Sequence, residues 1–231
     1  MSGSQLFDHY AGNYEEALTD AISLSGESRG HFAEGRVAWL RRCLQELGYR
    51  PRALLDFGCG DGATSPLLLN LLQAEFVIGV DVSKKSLDVA QARHAGEQVK
   101  YEPLSEFRPS GQMELAYCNG VFHHIPPRER ANALAFVSDT LRPGGLFSFW
   151  ENNPWNPVMR YVMSRCAFDS DAIMLAAPEA RALLAGVGFE ILRTDFRFVF
   201  PRSLRALRKL EDLMRRLPIG AQYQILCRKI T

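Results

Sequence analysis

One turn constrains this chain more than any other stretch. Asp56-Phe57-Gly58-Cys59-Gly60-Asp61-Gly62 follows the short apolar run Ala53-Leu54-Leu55 and precedes a leucine-rich segment with helical spacing. Glycines placed this closely let the backbone turn tightly and let a ligand approach it. A second apolar run, Phe76-Val77-Ile78, ends at Gly79-Val80-Asp81-Val82-Ser83. The pair reads as a strand, a glycine turn, a helix and a second strand closed by a carboxylate.

The same alternation continues along the chain. A helix is expected from about Ser28 to Gly48, where Phe32, Val37, Leu40, Leu44 and Leu47 recur at helical spacing. Strands are expected near 53–57, 76–81, 99–101, 113–118 and 146–150, with helices near 64–73, 83–93 and 126–141 between them. Arg142-Pro143-Gly144-Gly145 reads as a turn. Strands alternating with helices imply a parallel sheet covered on both faces, which binds ligands at the carboxyl ends of its strands. Both acidic signals lie there. After Trp150 the composition shifts to Asn, Pro, Trp and Arg, as expected of an inserted lid. A helix at 178–186, a strand at 189–199, a helix at 203–217 and a strand at 221–229 complete the pattern. Pro218-Ile219-Gly220 is too short for a parallel crossover from a neighbouring strand. The 231 residues are expected to form a single domain: an N-terminal helical cap over 1–50, a cofactor-binding core over 51–150, and acceptor-side and C-terminal strands over 151–231.

Composition removes several alternatives. The net charge of +1 creates no global field selecting nucleic acid or an acidic ligand. Five cysteines, an odd number with no CxxC pair, read as reduced thiols of a cytoplasmic protein. No signal peptide and no membrane span is expected.

The acids narrow the ligand. A dinucleotide would lay its pyrophosphate against the turn and the helix start, where Asp56 and Asp61 repel it. The glycines also depart from GxGxxG, since the third comes one residue early. S-adenosylmethionine has no phosphate and carries an ammonium and a sulfonium, which acidic groups stabilise. Asp81, 19 residues past Gly62, stands near the usual offset of a ribose-binding carboxylate.

With Asn119-Gly120-Val121-Phe122-His123-His124-Ile125 after the fourth strand and Leu141-Arg142-Pro143-Gly144-Gly145 before the fifth, the chain resembles the class I S-adenosylmethionine-dependent methyltransferases. The resemblance covers about 50–150. It implies a Rossmann-like three-layer sandwich with a seven-stranded sheet of order 3-2-1-4-5-7-6, mostly parallel, with the last strand antiparallel. It also implies that Gly58 and Gly60, with Asp56 and Cys59 in the same loop, approach the amino-acid part of S-adenosylmethionine. Asp81 and Val82 would hold its ribose and adenine edge, Asn119 would line the methionine side, and Tyr14 would cover the cofactor. The loop Tyr101-Glu102-Pro103-Leu104-Ser105-Glu106 leaves the adenine-amino contact unassigned.

His123 and His124 follow the fourth strand, where the methyl group is expected, and His124 is the favoured catalytic side chain with His123 beside it. Glu151, Asn152, Asn153, Trp155 and Arg160, after the fifth strand, are the acceptor-binding candidates. No metal site is expected, because no ligand spacing is visible. Leucines and basic residues over 203–217 suggest either a helix packed on the sheet or contact with an anionic membrane or a phosphate-bearing acceptor. The expected function is methyl transfer to an oxygen or nitrogen of a small or lipid-linked molecule, with no nucleic-acid partner. The alternative is a non-catalytic S-adenosylmethionine-binding regulator or scaffold.

Overall fold

The computed structural model describes residues 25–166, 169 and 171–230. Tyr14 lies outside them. In chain order the elements are α1 (Arg29–Glu46), β1 (Ala53–Phe57), α2 (Ser65–Leu72), β2 (Phe76–Asp81), α3 (Lys84–His94), β3 (Val99–Pro103), β4 (Met113–Asn119), α4 (Pro127–Thr140), β5 (Leu141–Asn152), α5 (Pro157–Arg165), α6 (Ala177–Gly186), β6 (Phe189–Arg197), α7 (Glu211–Met214) and β7 (Gln222–Lys229). Single 3₁₀ segments lie at Phe122–His124 and Arg202–Leu210.

The strands form one sheet in the order β3-β2-β1-β4-β5-β7-β6. β1 to β5 are mutually parallel, and β7 runs antiparallel to both of its neighbours. This is the expected fold class and strand order. Strand residues alternate between two cores, as a pleated sheet requires. Leu55, Phe57, Phe147 and Phe149 face the core shared with Leu134, Val137 and Leu184. Leu54, Leu115, Leu146 and Trp150 face the core shared with Val37, Leu40, Leu68 and Leu72. The strand order reverses between β1 and β4, so the crevice at their carboxyl ends is the natural ligand site.

Local chemistry sets the helix starts. Ser28 caps α1 by accepting the His31 N–H at 3.2 Å, and Ser83 caps α3 through the Ser86 N–H at 3.2 Å. Asn156 caps α5 through the Met159 N–H at 2.8 Å.

Two elements differ from expectation. β5 begins at Leu141 rather than 146, and Pro143-Gly144-Gly145 sits inside it as an irregularity, with pairing stepping from Met113–Leu141 to Leu115–Leu146. Over 203–217 there is no continuous α-helix. Arg202–Leu210 is 3₁₀ and only Glu211–Met214 is α-helical. The 3₁₀ stretch is broken at Leu204, whose φ of −109° and ψ of 24° are not helical, and Leu213 lies in the α-helical turn. These leucines are exposed, Leu213 by 81%, instead of packing on the sheet. The buried Glu211 carboxylate ties the segment down by accepting the Val199 and Phe200 N–H groups at 3.0 and 3.1 Å.

Asp56 fastens β1 to α2. It is buried, and its carboxylate accepts the Ser65 hydroxyl at 2.7 Å in the first turn of α2. Burial pushes the Asp56 carboxyl up to about 7; the Ser65 hydroxyl opposes this, the charges of Asp81 and Asp61 add to it, and Arg36 opposes it. The folded value lies above that of the unfolded chain, so the fold favours the protonated form. This contribution is fully present below about pH 4 and is lost as pH rises through about 7, a change of the order of a few kcal/mol. Asp56→Asn keeps an acceptor for Ser65 and removes the titration. Comparing denaturant midpoints across that window, the wild type is expected to lose stability relative to Asp56→Asn as pH rises; parallel curves would exclude the assignment.

Candidate active site

The loop after β1 is shaped by what presses against it. Gly58 has φ +70°, and a Cβ there would meet Val121 Cγ2 at 2.3 Å. Gly62 has φ +78°, and a Cβ would meet the Tyr101 hydroxyl oxygen at 2.6 Å. A side chain at either position is excluded both by backbone conformation and by space. The loop is also stitched to β2. Gly58 and Cys59 N–H donate to the Val80 carbonyl at 2.8 and 3.1 Å. The Gly60 N–H donates to Asp81 Oδ2 at 2.8 Å, while Asp81 Oδ1 accepts the Ser83 N–H at 2.8 Å. Val82 beside it is exposed.

The acids of the loop divide their work. Asp56 lies beneath it, on Ser65. Asp61 forms a two-pronged pair with Arg29 of α1, with Nη2 to Oδ1 at 2.6 Å. Burial pushes the Asp61 carboxyl up, but the Arg29 guanidinium outweighs it and holds the group below the usual range. The Asp61 charge is therefore largely answered within the protein, and Asp81 is the carboxylate turned to the crevice mouth. Burial raises the Cys59 thiol well above its ordinary value, which makes it a packing residue rather than a nucleophile. Asn119 ends β4, and its Oδ1 is buried without a hydrogen-bond partner among the described residues. An orphaned acceptor at this point fits a ligand donor.

The second half of the site lies at the ends of β4 and β5. His123 and His124 occupy the 3₁₀ turn Phe122–His124. Glu151 is fully buried, and its carboxylate accepts the Phe122 N–H at 2.7 Å and meets His123 Nδ1 at 2.6 Å. Asp169 Oδ1 lies 3.5 Å from His123 Nε2 and 3.3 Å from His124 Nε2. Burial lowers the His123 pKa, but the Glu151 charge and contacts with Asp169 outweigh it and raise it to about 10. Burial and the neighbouring His123 charge lower His124 to about 4. Burial pushes Glu151 up, and His123 brings it below its usual range.

Arg130 of α4 holds this turn in place. It is buried and donates from Nε to the Phe122 and Ile125 carbonyls at 3.1 and 3.0 Å, and from Nη2 to the Ile173 carbonyl at 2.6 Å. The Ile173 N–H donates to the His123 carbonyl at 2.8 Å. The segment carrying Asp169 is thereby strapped to the histidine turn.

The remaining acceptor-side candidates separate. Asn153 is buried, donates to the Pro218 and Gly220 carbonyls at 3.0 and 2.8 Å, and accepts the Trp155 N–H at 3.1 Å. Asn152 Oδ1 accepts from Gln222 Nε2 at 2.9 Å. The Asn153 side chain and the Glu151 carboxylate are thus occupied within the protein, where they shape the loop. Trp155 is 51% exposed and stacks against Phe196 at 6.5 Å between ring centroids. Arg160 is exposed on α5. With Val158, Tyr161 and Ile173, also exposed, Trp155 gives this part of the surface an apolar character. Asp169 and Arg130, which organise the histidine turn, carried no motif in the sequence. Among the described residues no helix is long and apolar enough to cross a membrane.

A family model for a methyltransferase domain matches residues 54–145. The chain is similar to a trans-aconitate 2-methyltransferase of Acidovorax sp. strain JS42, 26% identical over 172 residues, which cover 68% of this chain and 65% of the relative. It spans between 24% and 65% of the lengths of the first curated relatives it matches. Among solved structures it is similar to an S-adenosylmethionine-dependent methyltransferase from Thermotoga maritima, with TM-score 0.67 and 17% identity over 99% of this chain and 100% of the other. It is also similar to the magnesium protoporphyrin IX methyltransferase of Synechocystis PCC 6803 with bound S-adenosylhomocysteine, with TM-score 0.61 and 17% identity over 91% of this chain and 86% of the other. The matched stretch carries the glycine loop and Asp81 on this order of strands, and over 54–145 the chain is similar to a methyltransferase domain on the fold of S-adenosylmethionine-dependent methyltransferases.

Proposed function

We propose that this chain moves the methyl group of S-adenosylmethionine to an oxygen or nitrogen of a small or lipid-linked acceptor. The observation that carries the reading is the glycine loop closed onto Asp81 through the Gly60 N–H, facing a turn that presents His123 and His124 at the same sheet edge. The residues fit the cofactor. Asp81 places a carboxylate at the end of β2 where ribose hydroxyls would donate, Val82 offers an apolar edge for adenine, and the orphaned Asn119 Oδ1 suits a cationic donor. No lysine or arginine lies in 56–65 to receive a pyrophosphate.

S-adenosylmethionine supplies a methyl group on a sulfonium that leaves without protonation. The protein's own work is then positioning the acceptor about 3 Å from the reacting carbon and excluding water. Asp56, Gly58, Cys59 and Gly60 form the loop against the amino-acid part, and Tyr14 is proposed to complete the cover. His124 lies on the acceptor side, with His123 held beside it by Glu151. Asn152, Asn153, Trp155 and Arg160 form or shape the acceptor wall. The exposed apolar side chains at Trp155, Val158 and Tyr161 support an acceptor with an apolar part. The row Leu204, Leu207, Leu210 and Leu213, flanked by exposed Arg205 and Lys209, supports contact with a lipid surface. The whole chain is read as one domain.

Calorimetry with S-adenosylhomocysteine and with NADH in parallel tests the reading; binding of the first and not the second is expected. Asp81→Ala is expected to weaken S-adenosylhomocysteine binding by at least about tenfold, since a hydrogen bond to a charged group contributes about 1.5–3 kcal/mol. Unchanged affinity in a folded variant would remove Asp81 from the ribose. His124→Ala is expected to reduce turnover of S-adenosylmethionine, in the presence of a transferable acceptor, far more than it reduces cofactor affinity. Equal turnover in the variant and the wild type would exclude His124 from the acceptor side.

A further inference from the structure

We propose that His123, His124 and Asp169 form a binding site for a divalent first-row transition-metal ion. Among the described residues, their ligand atoms form a group of three lying within 4.8 Å of one another. Two imidazoles and one carboxylate leave coordination positions open, the pattern of catalytic zinc sites and of two-histidine, one-carboxylate iron sites.

The distances decide between a metal site and a plain ion pair. A charge-assisted N–H···O bond closes to about 2.7–2.9 Å. Here Asp169 Oδ1 stands 3.5 and 3.3 Å from the two Nε2 atoms, and it is buried without a hydrogen-bond partner among the described residues. Ligands about 2.0–2.2 Å from a tetrahedral ion lie roughly 3.3–3.6 Å apart, which is the separation of Asp169 Oδ1 from each imidazole nitrogen. The Asp169 side chain is only 8% exposed, so water is a poor substitute for the missing partner.

The surroundings are those of a built site. Glu151 takes His123 Nδ1 at 2.6 Å, which fixes the ring and turns Nε2 toward Asp169. A carboxylate behind a ligating histidine orients the ring and raises its basicity toward the ion. Glu151 is held in turn by the Phe122 N–H; the Asp169 carbonyl accepts the Ala172 N–H at 3.0 Å, and Ile173 is strapped to the histidine turn by its own N–H and by Arg130. Positioning of this kind lowers the reorganisation needed to bind an ion; the two imidazoles need only draw inward. The ion-binding site itself does not depend on the methyl-transfer reading.

The test uses the full chain, stripped of metal with a chelator, with zinc as the probe. Calorimetry is expected to show one ion bound per chain. Asp169→Asn and His124→Ala are each expected to weaken binding by at least about tenfold, and Glu151→Gln, acting through His123 and the turn that carries it, by about tenfold to a hundredfold. S-adenosylhomocysteine affinity, measured on the same samples, reports that the variants remain folded and separates failure of the metal site from failure of the cofactor reading. X-ray absorption on the zinc-loaded wild type, which needs no variant, is expected to show nitrogen and oxygen ligands with histidine scattering. Absence of stoichiometric binding, affinity unchanged in Asp169→Asn and His124→Ala, or a sulfur-ligated ion would each overturn the proposal.

Discussion

One buried carboxylate joins the two halves of this site. Glu151 lies at the end of β5, fully removed from solvent, and meets a backbone N–H and an imidazole from the turn after β4. An isolated charge in such a place would be prohibitively costly; two close donors make it tolerable. Removing either partner would leave the carboxylate exposed to that cost, so the turn holds one conformation. The position of His123 and His124 follows. The neighbouring parallel pairing of β4 with β5, through Cys118–Phe149 and Asn119–Trp150, brings Glu151 within reach of that turn.

The cofactor half rests on a different kind of constraint. Gly58 and Gly62 leave no room for a Cβ because Val121, from the turn after β4, and Tyr101, from β3, fill the space. The loop is thus shaped by close packing as much as by its own conformational freedom. Its charges are also partly spent. Asp61 answers Arg29, and burial lifts Asp56 toward neutrality, leaving Asp81 as the main negative contribution at the mouth. The crowd of acids visible in the sequence resolves into a buried Asp56, an Asp61 paired with Arg29 and a half-buried Asp81, a set that repels phosphate.

The sequence made the sheet legible because its signals are local. Apolar runs, glycine turns and serine caps such as Ser28 and Ser83 act over a few residues, and β1 to β4 lie where those signals place them. The start of β5 was less legible, because Pro143-Gly144-Gly145 looks like a turn and becomes an irregularity only when β4 pairs beside it. The helix expected over 203–217 is instead a 3₁₀ stretch broken at Leu204 and followed by one α-turn, because its leucines have no sheet face to pack on and stay exposed. Of the site, the cofactor loop was legible and the acceptor side only in part. Glu151 and Asn153 were found by position, but their inward hydrogen bonds depend on β7 and the histidine turn. Asp169 and Arg130 carried no signal at all, since a lone aspartate and a lone arginine acquire meaning only when distant segments converge.

The antiparallel course of β7 has a consequence for how such a site can diversify. Because this strand runs against β5, its beginning at Gln222 lies beside Asn152, level with the carboxyl ends of the parallel strands. The connection that delivers the chain to that point is anchored by the Asn153 amide at Pro218 and Gly220. Lengthening or shortening it would remodel the acceptor's surroundings while β1 and β2, with their glycine loop, kept their register. Donor recognition and acceptor choice are thereby written in separate stretches of one polypeptide and are free to drift independently.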